Sequence, residues 1–257
     1  MRKLLAVCLA LAINSPAYAA AVAKIAVDVP VVGVAGSNSF TPPLFSSVID
    51  DRYTGIIESG SVRVFPLSEA EMAQPAVLET LHQKDPSIYS HVMRVGILAG
   101  MIALAMGYPL GTAQHFAWGA RLHDTGKIDD AIRAIVNREG PLSADDRKFV
   151  QRHPEIGWEM LSRQADIPLE IRSAGMSVAL AHHEKVDGTG YPKGLKGDAI
   201  PIEARIAAVA DHMDALLENR PYRAGMPISE ALKIMEAEKS AFDPQAYKAL
   251  LGIFSGF

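Results

Sequence analysis

The sequence predicts an all-α domain preceded by a weakly structured N-terminal extension. Three observations carry that expectation. From Ser68 onward apolar residues recur at helical spacing. Two Ser-x-x-acid capping boxes, Ser68 with Glu71 and Ser143 with Asp146, mark helix starts. Prolines and glycines, such as Pro86, Gly107, Pro109 and Gly111, then break the pattern between helices.

In chain order, the first helix opens at Ser68 and runs to about Lys84, where Asp85-Pro86 ends it. The second spans about Ser87 to Met106. Its apolar stretch, Gly96 to Met106, is 11 residues long, which suits a core helix and falls short of the ~20 that a membrane span needs. Gly107, Pro109 and Gly111 stop it, and Thr112 is expected to cap a third helix reaching His123. Ser143 opens a fourth to about Arg152, and Pro154 restarts the chain toward Gln164. Pro168 to His183 is the sixth. A Gly/Pro-rich loop from Glu184 to Ile202 follows, and a loop of that length inside a compact domain is usually functional. Glu203 to Leu217, Ile228 to Lys239 and Asp243 to Phe254 complete the domain.

The N-terminus has a different character. Arg2 and Lys3 precede ten apolar residues, Leu4 to Ile13. Asn14-Ser15-Pro16 then breaks the run, and Ala17-Tyr18-Ala19 offers small residues where a signal peptidase reads. Residues 1–19 therefore read as a secretory signal, against the alternatives of a buried helix or an uncleaved anchor. Cleavage after Ala19 would remove Cys8, the chain's single cysteine, and leave no thiol. Residues 20–67, rich in Val, Gly, Ser and Pro, read as an extended segment, and residues 68–257 as the helical domain. One cysteine excludes an internal disulfide and a Cys-rich zinc module. A net charge of −4 argues against a protein that coats DNA or RNA, while leaving room for a small anionic ligand held by local cations.

The histidines carry the chemistry. His91, His123-Asp124, His153, His182-His183 and Asp211 succeed one another at intervals of about 30 residues, one helix and its return each. Successive helices of a bundle can bring such groups to one place in the core. Imidazole and carboxylate together suit iron, manganese or zinc. Two such ions can share a bridging carboxylate, for which Asp124 is the candidate, and can make hydroxide available near neutral pH. A lone histidine on an apolar helix is more often a hydrogen-bonded core residue, and His82, His115 and His212 are read as structural or surface groups. It is the joint pattern that points to a metal.

The motifs then resemble a known family. His123-Asp124-Thr125-Gly126-Lys127 is similar to the HD-x-G-K signature of HD phosphohydrolases. His182-His183-Glu184 followed by Asp187-Gly188-Thr189-Gly190-Tyr191-Pro192 resembles the HHE and GYP signature of HD-GYP domains, and Val209-Ala210-Asp211, Asp214, Arg220-Pro221-Tyr222-Arg223 and Phe242-Asp243-Pro244 fit the same pattern. The resemblance implies a binuclear iron or manganese centre ligated by His91, His123, Asp124, His153, His182, His183 and Asp211. It implies a phosphodiesterase that opens cyclic di-GMP to linear pGpG, and onward to GMP in some members, by attack of a metal-bridging hydroxide. Lys127 matches a phosphate-contacting lysine, and Asp214, Arg220 and Arg223 match groups that hold guanine and phosphate. Gly190 and Tyr191 match the loop lining the pocket. Some members carry a glutamate that helps hold a third metal four residues before the first histidine; here that residue is Ser87, which favours two ions. The resemblance leaves room for diguanylate-cyclase-type partners and for a homodimer.

Residue chemistry agrees with these roles. Arginine forks suit phosphate, Arg220 and Arg223 are three apart and would share a helical face, and Gly188, Gly190 and Gly194 allow close approach to a ligand. Two other functions stay open: a phosphohydrolase acting on another nucleotide, and a binding module without turnover. The address is open too. A cleaved signal would place the domain outside the inner membrane, away from a cytoplasmic messenger, whereas a start at Met72 would keep every motif in the cytoplasm, and an uncleaved segment would tether it.

Overall fold

A computed structural model describes residues 75–138, 140–218 and 225–254. Every regular element among them is helical. The expected signal segment, the extension 20–67 and the Ser68/Glu71 capping box lie outside the described residues, as do Arg220 and Arg223.

The spine is α2 (Pro86–Ala105), which follows α1 (Ala76–Lys84). Asp85 caps it by accepting from the Ile88 N–H at 3.1 Å, and Pro86 sits in the first turn, where its missing N–H costs nothing. Every residue from His91 to Ala103 is buried. Each large apolar side chain in that stretch contributes about 1.5–3 kcal/mol by leaving water. This is the one described helix long and apolar enough to cross a membrane, and 72% of its most apolar window is buried inside the domain, as befits a core helix. Around it pack α1, α3 (Leu110–Arg121), α8 (Ile202–Leu217) and α10 (Pro244–Phe254). On the far side of α3 lies α7 (Leu169–Ala181), paired with α6 (His153–Ser162).

Two boundaries correct the sequence reading. Thr112 does not cap α3. The helix begins at Leu110, because Pro109 holds ψ at 149° and its carbonyl already accepts from the Ala113 N–H at 3.0 Å. The same device, a proline with extended ψ just before the first helical residue, starts α1, α7, α8 and α9 (Ile228–Ala237). The second correction is a helix the periodicity did not suggest, α4 (Asp130–Val136). It is only 7 residues long and Ile132 is its one buried residue, so its apolar stripe is weak. Asp129 nucleates it by accepting from the Ala131 and Ile132 N–H groups. The Ser143/Asp146 capping box does open a helix, α5 (Ala144–Val150).

Two glycines set distances that matter for the site. A Cβ on Gly126 would lie 2.0 Å from the His153 carbonyl oxygen, so only glycine lets the 3-10 turn Thr125–Ile128 lie against the start of α6. A Cβ on Gly190 would lie 2.4 Å from the Lys185 nitrogen, so the long loop can fold back onto His183 and Glu184 only with glycine there.

That loop is well tied. The buried Glu184 carboxylate accepts from the Lys193 N–H at 2.7 Å and the Leu195 N–H at 2.9 Å. Val186 donates to the Ala241 carbonyl at 3.0 Å. Arg205, on α8, bridges Asp198 in the loop to Asp243 before α10. Val186 and Leu195 pack on Ala181, Ile200 and Ala204.

Candidate metal centre

The helices bring seven side chains from the histidine and aspartate series to one place. His91 comes from the second turn of α2. His123 and Asp124 follow the C-terminus of α3, His153 opens α6, His182 and His183 follow α7, and Asp211 lies inside α8. They fall into two groups. His91, His123 and Asp211 have ligand atoms mutually within 4.8 Å, and so do His153, His182 and His183. In the first group, His91 Nε2 lies 3.0 Å and His123 Nε2 3.8 Å from Asp211 Oδ1.

Asp124 sits between the groups and turns one oxygen to each. Its Oδ2 lies 3.3 Å from His123 Nε2 and 3.9 Å from His91 Nε2. Its Oδ1 lies 3.3 Å from His153 Nε2 and 3.7 Å from His182 Nε2. Donors that share one ion at about 2.1 Å stand about 3–4 Å apart, so this spacing suits metal on either side of the carboxylate.

Proton positions follow from the backbone. His123 Nδ1 lies 2.7 Å from the Ala120 carbonyl, His153 Nδ1 2.7 Å from that of Val150, and His182 Nδ1 3.0 Å from those of Val178 and Ala179. A carbonyl only accepts, so each Nδ1 carries the proton, and each ring turns its Nε2 into the centre. His153 Nε2 and His182 Nε2 are then two lone-pair nitrogens only 3.2 Å apart. Among the described residues, the buried His123 Nε2 and Asp124 Oδ1 have no hydrogen-bond partner. Converging, desolvated lone pairs are costly unless a cation meets them. The donor set therefore fits divalent metal.

Electrostatics divides the two groups. Burial pushes the His153 pKa down to about 4, with the nearby Lys127 ammonium adding to it, pushes that of His183 to about 3, and drives His182 well below the usual range. For His91, burial also opposes charge, but hydrogen bonds to Asp211 and Asp214 outweigh it and raise the pKa to about 10. Burial would raise the pKa of Asp124 and Asp211. Lys127 and His123 hold the first well below the carboxylate range, and His91 with His123 does the same for the second.

A cavity of about 590 Å³ opens on this centre, and its lining includes His91, Asp124, Lys127, Tyr191 and Asp211. Lys127 ion-pairs with Asp124 Oδ2. Tyr191 stacks on His183 with ring centroids 4.7 Å apart, and Gly190 lies beside it in the wall. His212, expected to be structural, also reaches the wall, edge-on to Phe242 and 3.3 Å from Glu238.

One assignment changes. Asp214, grouped from the sequence with substrate-holding residues, is fully buried behind His91. Its Oδ2 accepts from His91 Nδ1 at 2.6 Å, and Arg94 donates to Oδ1 and Oδ2 at 2.8 and 3.0 Å. Asp211 and Asp214 are three apart on α8, so both face α2; the register puts Asp211 on the Nε2 edge of His91 and Asp214 on its Nδ1 edge. Asp214 orients a histidine and has no free edge for substrate. Sequence reasoning also missed Arg94, a lone cation in the apolar α2 whose charge is the only signal, and Glu184, which pins the loop.

Comparison with known proteins agrees with this architecture. The family model described as HD domain matches residues 75–246. The chain is 39% identical over 173 residues to the cyclic di-GMP phosphodiesterase response regulator RpfG of Xanthomonas campestris pv. campestris, covering 66% of this chain and 44% of that protein. It is 37% identical over 188 residues to the 3′3′-cGAMP-specific phosphodiesterase 3 of Vibrio cholerae, covering 72% and 40%. The chain thus spans less than half the length of these relatives. Among solved structures, an HDG"Y"P protein from Bdellovibrio bacteriovorus matches with a TM-score of 0.54 at 25% identity, covering 67% of this chain and 54% of that one.

Proposed function

The chain belongs to the HD domain family, in its HD-GYP form, and from that premise we propose that it is a metal-dependent phosphodiesterase opening cyclic di-GMP to the linear dinucleotide. The observation that carries this reading is Asp124, one carboxylate turned toward two groups of metal-type donors at the floor of an open cavity. In this reading the centre holds two divalent ions, iron or manganese. His91, His123 and Asp211 would hold one, His153, His182 and His183 the other, and Asp124 would be within reach of both. Bound ions supply an activated water and stabilise charge on the phosphoryl oxygens.

The chain's own groups do the rest. Lys127, at the cavity floor, meets the phosphate as a compact cation. Tyr191 walls the pocket from its stack on His183 and keeps that ring in place. Arg220 and Arg223 are proposed to grip the second phosphate and the bases. Asp214 and Arg94 hold His91 in the orientation that aims Nε2 at the centre.

The test is metal content and product analysis on protein purified and loaded with iron or manganese without oxygen. Two ions per chain and release of the linear dinucleotide from cyclic di-GMP are expected. Hydrolysis of nucleoside phosphates alone would give the wider phosphohydrolase reading, and tight binding without product would give a docking module. Residues 1–19 further suggest export from the cytoplasm. A reporter fused after residue 25 should then be active only outside the inner membrane; activity only in the cytoplasm would refute that address.

A further inference from the structure

A carboxylate in the wall of a cavity meant for a dianionic ligand needs an explanation, and Glu218 is such a group. It caps the C-terminus of α8, with its backbone N–H on the Asp214 carbonyl at 3.0 Å. One side-chain oxygen, Oε1, is held by the buried Arg94 guanidinium. The other, Oε2, has no hydrogen bond among the described residues; it lies 4.0 Å from His91 Nδ1, which is already committed to Asp214. The side chain is 18% exposed while Arg94 behind it is 4% exposed, and Glu218 is among the residues that line the cavity.

We propose that Glu218 reads the Watson–Crick edge of a purine base and selects guanine over adenine. The inference rests on the phosphodiesterase reading above. Guanine presents two adjacent donors, N1–H and the 2-amino group, which a free carboxylate oxygen accepts. Adenine presents an acceptor at N1, which a carboxylate repels. Both the like-charge cost of Glu218 near phosphate and the anchoring of its other oxygen make sense if the open oxygen meets donors. Arg94 offsets the charge and fixes the position, so little ordering is lost when the base docks. A site built to receive N–H donors strongly rejects an analogue that lacks them.

The experiment compares kcat/KM for cyclic di-GMP, 3′3′-cGAMP and cyclic di-AMP in the metal-loaded wild type and in Glu218→Gln, with metal content measured on both. The amide keeps an oxygen for Arg94 while placing a donor where guanine brings its own. The ratio of cyclic di-GMP to cyclic di-AMP should fall about 10- to 100-fold, with 3′3′-cGAMP between them and metal content unchanged. Glu218→Ala, as a second variant, should lower the same ratio. An unchanged ratio, or a wild type that prefers adenine, overturns the assignment alone. An equal loss on all three substrates together with lost metal also overturns it, because Glu218 would then act only through Arg94, Asp214 and His91. If the wild type cleaves none of the three, the phosphodiesterase reading falls and this assignment with it.

Discussion

The two halves of the centre are built from similar rings by opposite means. In the half formed by His153, His182 and His183, backbone carbonyls fix the Nδ1 protons of His153 and His182, and burial keeps all three rings neutral. In the half formed by His91, His123 and Asp211, His91 is held by carboxylates on both edges, and its pKa rises to about 10. The first half is therefore ready for metal at neutral pH. The second is occupied by a proton that metal must displace. Carbonyls orient a ligand without charging it, whereas carboxylates orient it and strengthen it as a donor at the cost of proton competition.

Asp124 belongs to both halves, so its loss should erase the contrast. Asp124→Ala is expected to lower turnover by at least about a thousandfold and to reduce metal content on both sides, because each half loses an oxygen and the remaining lone pairs face each other. Metal analysis and turnover on the same sample check this; full metal content with normal turnover would refute the shared role. The next effect in size is one-sided. Asp214→Asn removes the charge behind His91 without changing shape. Metal affinity or turnover should fall about 10- to 100-fold, with one ion retained on the His153 side. It also leaves Arg94 with Glu218 as its one carboxylate partner, so the melting temperature should drop as well. Loss of both ions would show that the halves load as a unit.

These asymmetries explain what the sequence made legible. The all-α class and the convergence of the seven side chains were legible because five of them, His123, Asp124, His153, His182 and His183, sit at helix boundaries, which Pro, Gly and capping residues mark, while His91 in the second turn of α2 and Asp211 inside α8 were placed by spacing alone. The interval of about 30 residues matched a helix and its return, so the donors fall on one side of the bundle. The second half's support was not readable. Arg94 lies inside a helix whose core stretch is otherwise apolar apart from His91, and nothing local says which group neutralises it. Asp214 is three residues from Asp211, which places both toward α2; only the packing of α8 on α2 decides that one faces the centre and the other the back of His91. α4 was missed because its stripe is a single buried Ile132.

The pH response of metal-free protein should separate the halves by sign. Between the unfolded histidine pKa of about 6.5 and its folded value of about 10, His91 is protonated only in the folded state. Its stabilisation is fully present below pH 6.5 and is lost as pH rises toward 10. His153 and His183 behave in the reverse way, neutral in the fold and protonated in the unfolded chain, so their penalty grows as pH falls from 6.5 toward 4. Metal-free stability should therefore peak near pH 6.5 and decline on both sides. Melting curves across pH 4–10 in chelator check this. In Asp214→Asn the alkaline decline should shrink and the acid decline persist.

The smallest expected effect belongs to the loop that covers the neutral half. Glu184 accepts two backbone N–H groups, from Lys193 and Leu195, and so fixes the turn that lays Tyr191 on His183. Glu184→Gln keeps one acceptor and sets its NH₂ against a backbone N–H. About 1–3 kcal/mol of local stability should be lost, or roughly 2–10 °C in melting temperature for a domain of this size. The effect should reach substrate before it reaches metal. With Tyr191 less firmly placed, KM should rise several-fold while the ion on the His153 side stays bound, since its histidines are held by α6 and α7 and by carbonyls the loop does not supply. If metal is lost in step with KM, the loop would be part of what keeps this half neutral and desolvated, and the contrast between the halves would rest on the covering loop as much as on the carbonyls.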